Sequence, residues 1–478
     1  MEQITAEQIA QAVGGRILSG DGKTPVFDIC TDSRKAKPGD LYVPVLGARV
    51  DGHAFIGSAI EKGAAAVFTS HPVSDTGGGQ PVSADGSGSG QAVLIQVEDT
   101  LSALQALGGF CRRRLSIPFV GVTGSVGKTS TRAMIAVALS AGFHTFQTEG
   151  NANSQVGVPI TLSRIGLEYE AAVIELGMSE PGEMTRIASV SGLNVAVITN
   201  IGLSHIEQLG SQEGILREKL HITDGLKKGG ALLLNGDDAL LYPGALAELK
   251  DCREKYRTRY YGFGAHNTYR AEQAGPEGDG MGFTFCYPSG RISVHLPVMG
   301  EHHVRNALAA LACADVLGVP VLEAAGALRS FQGVAHRQEK LEFPALGISV
   351  IDDSYNASPD SMRAAFSTLA MTESRGRKIA VLADMWELGP ETRRYHYETG
   401  QALARTDVDI LVTVGELAAG IAEGAKNERP DLVAESFAER SEAARWLENH
   451  RRPGDLILLK GSNGMRLFEI VEAWRKNP

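Results

Sequence analysis

Cysteine is sparse and shows no pairing pattern. Cys30, Cys111, Cys252, Cys286 and Cys313 are scattered through 478 residues, and no two form a C-x-x-C pair. That spacing argues against both a disulfide framework and a zinc site, and reduced, packed thiols are expected. Long apolar runs are also missing, since none approaches the roughly 18 uninterrupted residues a membrane span needs. Basic runs stop at three residues, Arg112 to Arg114, and the formal net charge is −10. A duplex-binding protein needs a basic face, so nucleic acid is not an expected partner. A polyanionic ligand would have to be held by local amides and a few placed cations, because the overall field repels it. There is no tandem repeat.

The composition that remains is that of an ordinary globular enzyme, with 43% hydrophobic and 21% charged residues. At about 150 residues per domain the length suggests about three domains. The opening segment MEQITAEQIAQAVGG reads as a folded helix. Thr5 and Gln8 can cap each other, Ile4 and Ile9 are spaced as a hydrophobic staple, and Gly14 and Gly15 supply the stop. With no export signal in that segment, a cytoplasmic protein is expected. Glycine is over-used, at 56 residues. Part of the excess lies in Val73 to Gly90, a Gly/Ser-rich stretch that reads as a surface loop inserted within the first domain. Strand signal resumes at Ala92 to Val97, a helix is predicted from about Thr100 to Arg114, and Pro118 marks entry to a new unit.

From Phe119 the runs FVGV, AAVIEL, VAVIT and ALLLN alternate with helical stretches, the pattern of buried parallel strands in a doubly wound α/β domain. Residues 262–298 carry period-2 pieces such as FTFCY and RISVHL, which predict a small antiparallel excursion before a helix near Glu301. Around Glu339 a second alternation begins, with strands in ISVID, KIAVLAD, DILVTVG and DLILLKG. Helices are predicted over Asp360 to Ala370, Tyr395 to Arg405 and Ser441 to His450. The predicted architecture is a three-domain α/β protein, with an N-terminal α/β unit (1–115), a central P-loop-type unit (116–337) and a C-terminal Rossmann-like unit (338–478).

The sharpest local signal is FVGVTGSVGKTST, Phe119 to Thr131: a strand, a Gly-rich turn, then a helix opened by Lys128 and Thr129 and predicted to reach Gly142. In such a turn Thr123, Gly124, Ser125, Val126 and Gly127 bring backbone amides to phosphate oxygens, and the helix start adds positive partial charge. Lys128 can reach terminal phosphates and the Thr129 hydroxyl can ligate Mg²⁺. Val122 occupies the position of the first glycine in the strict GxxxxGK[ST] pattern.

This turn resembles that of the Mur ligase superfamily, which includes folylpolyglutamate synthase. The resemblance runs along nearly the whole chain, through TDSRKAKPGDLYVPVLGARVDGHAFIGSAIEKGAAAV, NANSQVGVPITL, ELGMSEPGEM, TNIGLSHIEQLGS, GEHHVRNALAA, IDDSYNASPDSM, VLADMWELG and LLKGSNGMR. DSYNASPDSM and ADMWELG are similar to the branch that joins D-alanyl-D-alanine to UDP-N-acetylmuramoyl-tripeptide. The branch that adds the third amino acid is the runner-up, but its DNPR-type segment is missing. A P-loop NTPase regulator is the alternative of another class, and a GTPase's NKxD signature is absent.

The resemblance implies ATP as nucleotide, two Mg²⁺ ions, and small-molecule substrates bound by a monomer. Glu175 and His205 match metal ligands, and Lys219 matches a lysine carbamylated by CO₂, a plain surface lysine being the other reading. His302 and Asn306 match positions near the nucleotide, with His303 where Asn is common. Arg337 matches the arginine that approaches the phosphates from the domain junction, and Asp353 and Asn356 face ribose and adenine. Ser33, Arg34, Asp51, Gly52 and His53 match UDP-contacting segments. Asn151 and Asn153 match the substrate loop, where Ser154 and Gln155 replace the usual Asn-Glu. Trp386 and Lys460 are candidate neighbours of the dipeptide, with core packing an equal reading for Trp386. The implied chemistry is activation of a carboxylate as an acyl phosphate, followed by attack of an amine, in a site that closes to exclude water.

Overall fold

The computed structural model describes residues 4–47, 50–71, 92–249 and 255–476. The Gly/Ser-rich stretch 73–90 and Cys252 lie outside the described residues. Among the described residues no helix is long and apolar enough to cross a membrane.

Helix Ala6–Val13 forms as its residues dictate. Thr5 and Gln8 make a capping box, Gly14 closes the helix in the left-handed conformation, and Ile4 and Ile9 are buried. It packs on a five-stranded sheet ordered Arg16–Ser19, Val93–Gln96, Ala66–Thr69, Asp40–Tyr42, Asp28–Cys30. Ala66–Thr69 and Val93–Gln96 pair directly and in parallel, so the chain on either side of the Gly/Ser-rich stretch belongs to one sheet. Helix Thr100–Arg113 then ties this unit to the next. The Arg112 guanidinium stacks on Phe119, 3.6 Å from the ring centre, and donates to the Ser191 and Gly192 carbonyls at 2.8 and 2.7 Å.

The central sheet has nine strands, in the order Gly290–Leu296, Gly280–Tyr287, Tyr269–Glu277, Arg257–Gly262, Leu226–Asn235, Leu193–Ile198, Phe119–Thr123, Ala171–Glu175, Thr145–Gln147. Seven run parallel, and the last two hairpin strands add antiparallel to the edge. The excursion predicted over 262–298 is therefore an extension of the main sheet. Helices Lys128–Leu139 and Glu301–Leu317 cover one face, and Gly157–Ser163, Glu183–Ser191 and Gln212–Leu220 lie on the other. Burial on both faces explains why the parallel strands are apolar throughout. Lys128–Leu139 stops short of the predicted Gly142, at Ser140.

The third unit is a six-stranded sheet ordered Glu339–Phe343, Ile348–Asp353, Leu456–Lys460, Lys378–Ala383, Ile410–Val414, Val433–Phe437, parallel except for its first strand. The edge strands, Ala419–Glu428 and the final helix Phe468–Lys476 were not predicted. The edges are half-exposed, so their sequences carry no strong apolar period.

Candidate active site

The strands ending at Thr123, Glu175, Ile198 and Asn235 all point their C-terminal ends toward one edge of the central sheet, where open α/β sheets bind ligands. The facing wall comes from the third unit, and together they enclose a cleft of about 590 Å³.

The Gly-rich turn forms its floor. Gly124 and Gly127 hold φ of 147° and 85°, which L side chains rarely adopt. A Cβ at Gly124 would come 1.8 Å from Thr199 Oγ1. Helix Lys128–Leu139 starts with no side-chain cap, so its first amides are left for an anion. Three bonds from the neighbouring strand end stiffen the turn: Thr199 Oγ1 to Val126 O at 2.6 Å, Asn200 Nδ2 to the same oxygen at 2.9 Å, and Val126 N to Asn200 Oδ1 at 2.9 Å. Lys128 Nζ folds back on the Gly124 carbonyl at 2.8 Å. Burial pushes its pKa down, Glu175 opposes the shift, and Arg337 adds to it.

Glu175 is 1% exposed. Its Oε1 accepts from Asn153 Nδ2 at 2.8 Å, and its Oε2 lies 3.5 Å from Arg132. Thr129, Glu175 and His205 all line the cleft, a donor set of hydroxyl, carboxylate and imidazole that fits a hard divalent cation, although imidazole is an uncommon Mg²⁺ ligand. Lys219 does not line it. Its side chain is 1% exposed, and burial together with the charge of Lys128 holds its pKa well below the ordinary value. A plain surface lysine is thereby excluded.

Arg337 stacks on Tyr355, 4.0 Å from the ring centre. Asp353 is paired with the buried Lys460 at 2.7 Å, and Lys460 also reaches the Asn356 carbonyl at 3.0 Å. Burial raises the Asp353 pKa against the pull of Lys460. His302 Nε2 and His303 Nδ1 are buried on the cleft wall without partners among the described residues. Burial lowers both pKa values, that of His303 to about 4, so both rings are neutral near pH 7. Asn306 accepts from Thr131 at 3.0 Å.

Of the predicted site residues, Ser125 to Thr129, Asn151, Asn153, Glu175, His205, His302, Asn306, Arg337, Asp353 and Asn356 share this one cleft. Thr123, at the strand end, and Gly124, in the turn, do not themselves line the cleft. Ser33, Arg34, Asp51, Gly52 and His53 are in the N-terminal unit, off its wall. There Arg34 grips Asp32 through two 2.9 Å contacts. His53 is buried against Asp51 at 2.7 Å and stacks on His71 at 3.9 Å. Gly52 packs so closely that a Cβ would meet Val45 N at 2.7 Å. Trp386 is 48% exposed, which removes core packing as its role.

Sequence reading missed Arg132, Asn200, Tyr355 and Glu387. Arg132 had a signal, since it follows Lys128 by four residues on the same helix face. Asn200 ends a strand beside the turn. Tyr355 and Glu387 reach the site only through the apposition of two units.

An uncapped phosphate turn and a carboxylate–imidazole set, facing a second α/β unit across a cleft, define a three-domain nucleotide-dependent enzyme. The comparisons carry this further. The Mur ligase middle domain matches residues 122–314, the Mur ligase glutamate ligase domain 336–463, and the Mur ligase family catalytic domain 27–111. The chain belongs to the Mur ligase family. It is 36% identical, over 99% of both chains, to the UDP-N-acetylmuramoyl-tripeptide–D-alanyl-D-alanine ligase of Bacillus subtilis. A crystal structure of MurF from Acinetobacter baumannii superposes with a TM-score of 0.87 at 29% identity, covering 100% of this chain and 99% of that one. The MurF ligase of Thermotoga maritima in complex with ADP shares the fold at a TM-score of 0.78 and 24% identity, over 94% and 97% of the two chains.

Proposed function

We propose that this chain is an ATP-dependent amide ligase of peptidoglycan precursor synthesis, working in the cytoplasm as a monomer. It joins D-alanyl-D-alanine to UDP-N-acetylmuramoyl-tripeptide, with release of ADP and phosphate. The observation that carries this reading is the uncapped helix start at Lys128, set at a strand edge beside the buried carboxylate of Glu175. The B. subtilis relative, named for this activity, supports the choice of substrates.

A carboxylate and an amine do not condense in neutral water, because hydroxide is a poor leaving group. The tripeptide carboxylate oxygen attacks the γ-phosphorus, the bond to the β-phosphate oxygen breaks, and ADP leaves. Turn amides 124–129 hold the phosphates, while Lys128 and Arg337 offset charge that grows on the transferring group. The amine then adds to the acyl carbon, a proton is lost, and the tetrahedral intermediate expels phosphate with the original carboxylate oxygen.

Thr129, Glu175 and His205 are the residues that would hold Mg²⁺, which supplies charge neutralisation at the phosphates when bound. Lys219 suits carbamylation, because its depressed pKa keeps a neutral amine available to attack CO₂ with loss of one proton. A carbamate there would place a buried anion beside Lys128. Asn151 and Asn153 face the precursor's peptide end. Ser33, Arg34, Asp51, Gly52 and His53 form its distant UDP anchor, with units divided at 115/116 and 337/338.

The test is mass spectrometry of products from two pairings: UDP-tripeptide with D-alanyl-D-alanine, and UDP-dipeptide with a diamino acid. Only the first is expected to yield an ATP-dependent product. Reaction of the second alone would assign the chain to the branch that adds the third residue.

A further inference from the structure

His205 and Glu387 meet across the boundary between the central and C-terminal units. Each holds a left-handed backbone conformation that residues with side chains seldom adopt, with φ of 66° and 62°. Strain of this kind persists where surrounding structure over-determines it, and it concentrates at functional sites. His205 precedes the short helix Ile206–Leu209, and Gly389 packs beside Glu207 of that helix, so two loops are pressed together here. Glu387 Oε2 lies 3.0 Å from His205 Nδ1. The separation is that of a hydrogen bond but the direction is not, because the buried Nδ1 makes no well-directed bond among the described residues. The pair is in reach and not yet aligned, a common state of catalytic hydrogen bonds before substrate binds.

The two imidazole nitrogens have distinct roles, and the bond made by one fixes the proton on it and frees the other. Carboxylates behind metal-bound histidines do this widely, and their loss typically weakens metal binding about 10–100-fold. We propose that Glu387 is a positioning residue. By accepting from His205 Nδ1–H it leaves Nε2 as the ligating atom, so that seating the C-terminal unit strengthens the hold of His205 on a divalent cation. This rests on the ligase reading for the identity of the cation and goes beyond it by making metal affinity depend on the arrangement of two domains.

The test uses the full chain with ADP and Mn²⁺, free Mn²⁺ being followed by electron paramagnetic resonance. Glu387→Ala is expected to weaken Mn²⁺ binding about 10-fold. Glu387→Gln, which keeps an acceptor oxygen, should fall between Ala and the unaltered chain, and His205→Ala with Glu387→Ala should lose no more than His205→Ala alone. KM for the UDP-linked substrate should stay unchanged. Without metal, long-range ¹H–¹⁵N spectra of histidine-labelled protein should show the His205 proton on Nδ1, and a mixture of tautomers in Glu387→Ala. Unchanged Mn²⁺ binding in Glu387→Ala, equal losses in Gln and Ala, or additive losses in the double variant would overturn the assignment while leaving the ligase reading intact. No Mn²⁺ binding by the unaltered chain would overturn both.

Discussion

At the level of single residues, Lys128, Arg132 and Arg337 act together on the buried Glu175, and burial depresses Lys128 and Arg132 against the pull of that one carboxylate. A bound triphosphate would add negative charge beside Lys128. Lys128→Ala is therefore expected to lower turnover by about 10³-fold. It should leave the melting temperature unchanged or slightly raised, because a buried, poorly compensated cation is removed. Steady-state kinetics and a thermal melt check both halves. Lys219→Ala should abolish the resonance that ¹³C-bicarbonate produces in the ¹³C spectrum of the intact protein, and its persistence would place the carbamate elsewhere. The residues legible in the sequence were those whose chemistry is local, such as the turn, where spacing alone aligns amides and Lys128. Glu387 was not legible, because its partner His205 lies in another unit, and the stacking of Tyr355 on Arg337 joins residues 18 apart that no local pattern links.

At the level of elements, the turn works because one strand end braces another. Gly124→Ala should remove ATP binding, since the added Cβ collides with Thr199 and the φ of 147° is unfavourable for alanine. Equilibrium dialysis with ATP measures this, and near-normal affinity would show that the turn can move aside. Ser358 begins helix Pro359–Met371 with a capping box. Ser358→Ala is expected to cost about 1 kcal/mol in urea unfolding. Elements with strong local signals were readable: buried parallel strands as apolar runs, the first helix by its caps. The antiparallel hairpin was visible as period-2 texture, but its attachment to the main sheet runs through a short parallel pairing, Tyr261 with Tyr269 and Gly262 with Arg270, that the alternation does not encode. The half-exposed edge strands of the third unit were missed for want of an apolar period.

Across the whole molecule, the central sheet places the phosphate turn on one side of the cleft and the C-terminal sheet places Asp353, Asn356 and Lys460 on the other. The N-terminal unit is fastened by Arg112 and by Arg164, which grips Asp28 at 2.9 and 3.0 Å. The third unit joins through the segment around Arg337. An acyl phosphate hydrolyses if wet, so the third unit should close on the second when ATP analogue and UDP substrate are bound. Small-angle scattering should show compaction on adding both, and identical profiles would count against closure. The central claim is the acyl phosphate itself, and isotope transfer tests it most directly. With ¹⁸O in the tripeptide's terminal carboxylate, D-alanyl-D-alanine and ATP, one ¹⁸O is expected in the released phosphate, as that oxygen bridges carbon and phosphorus before the amine displaces it. Unlabelled phosphate accompanying amide product would contradict carboxylate activation by phosphoryl transfer.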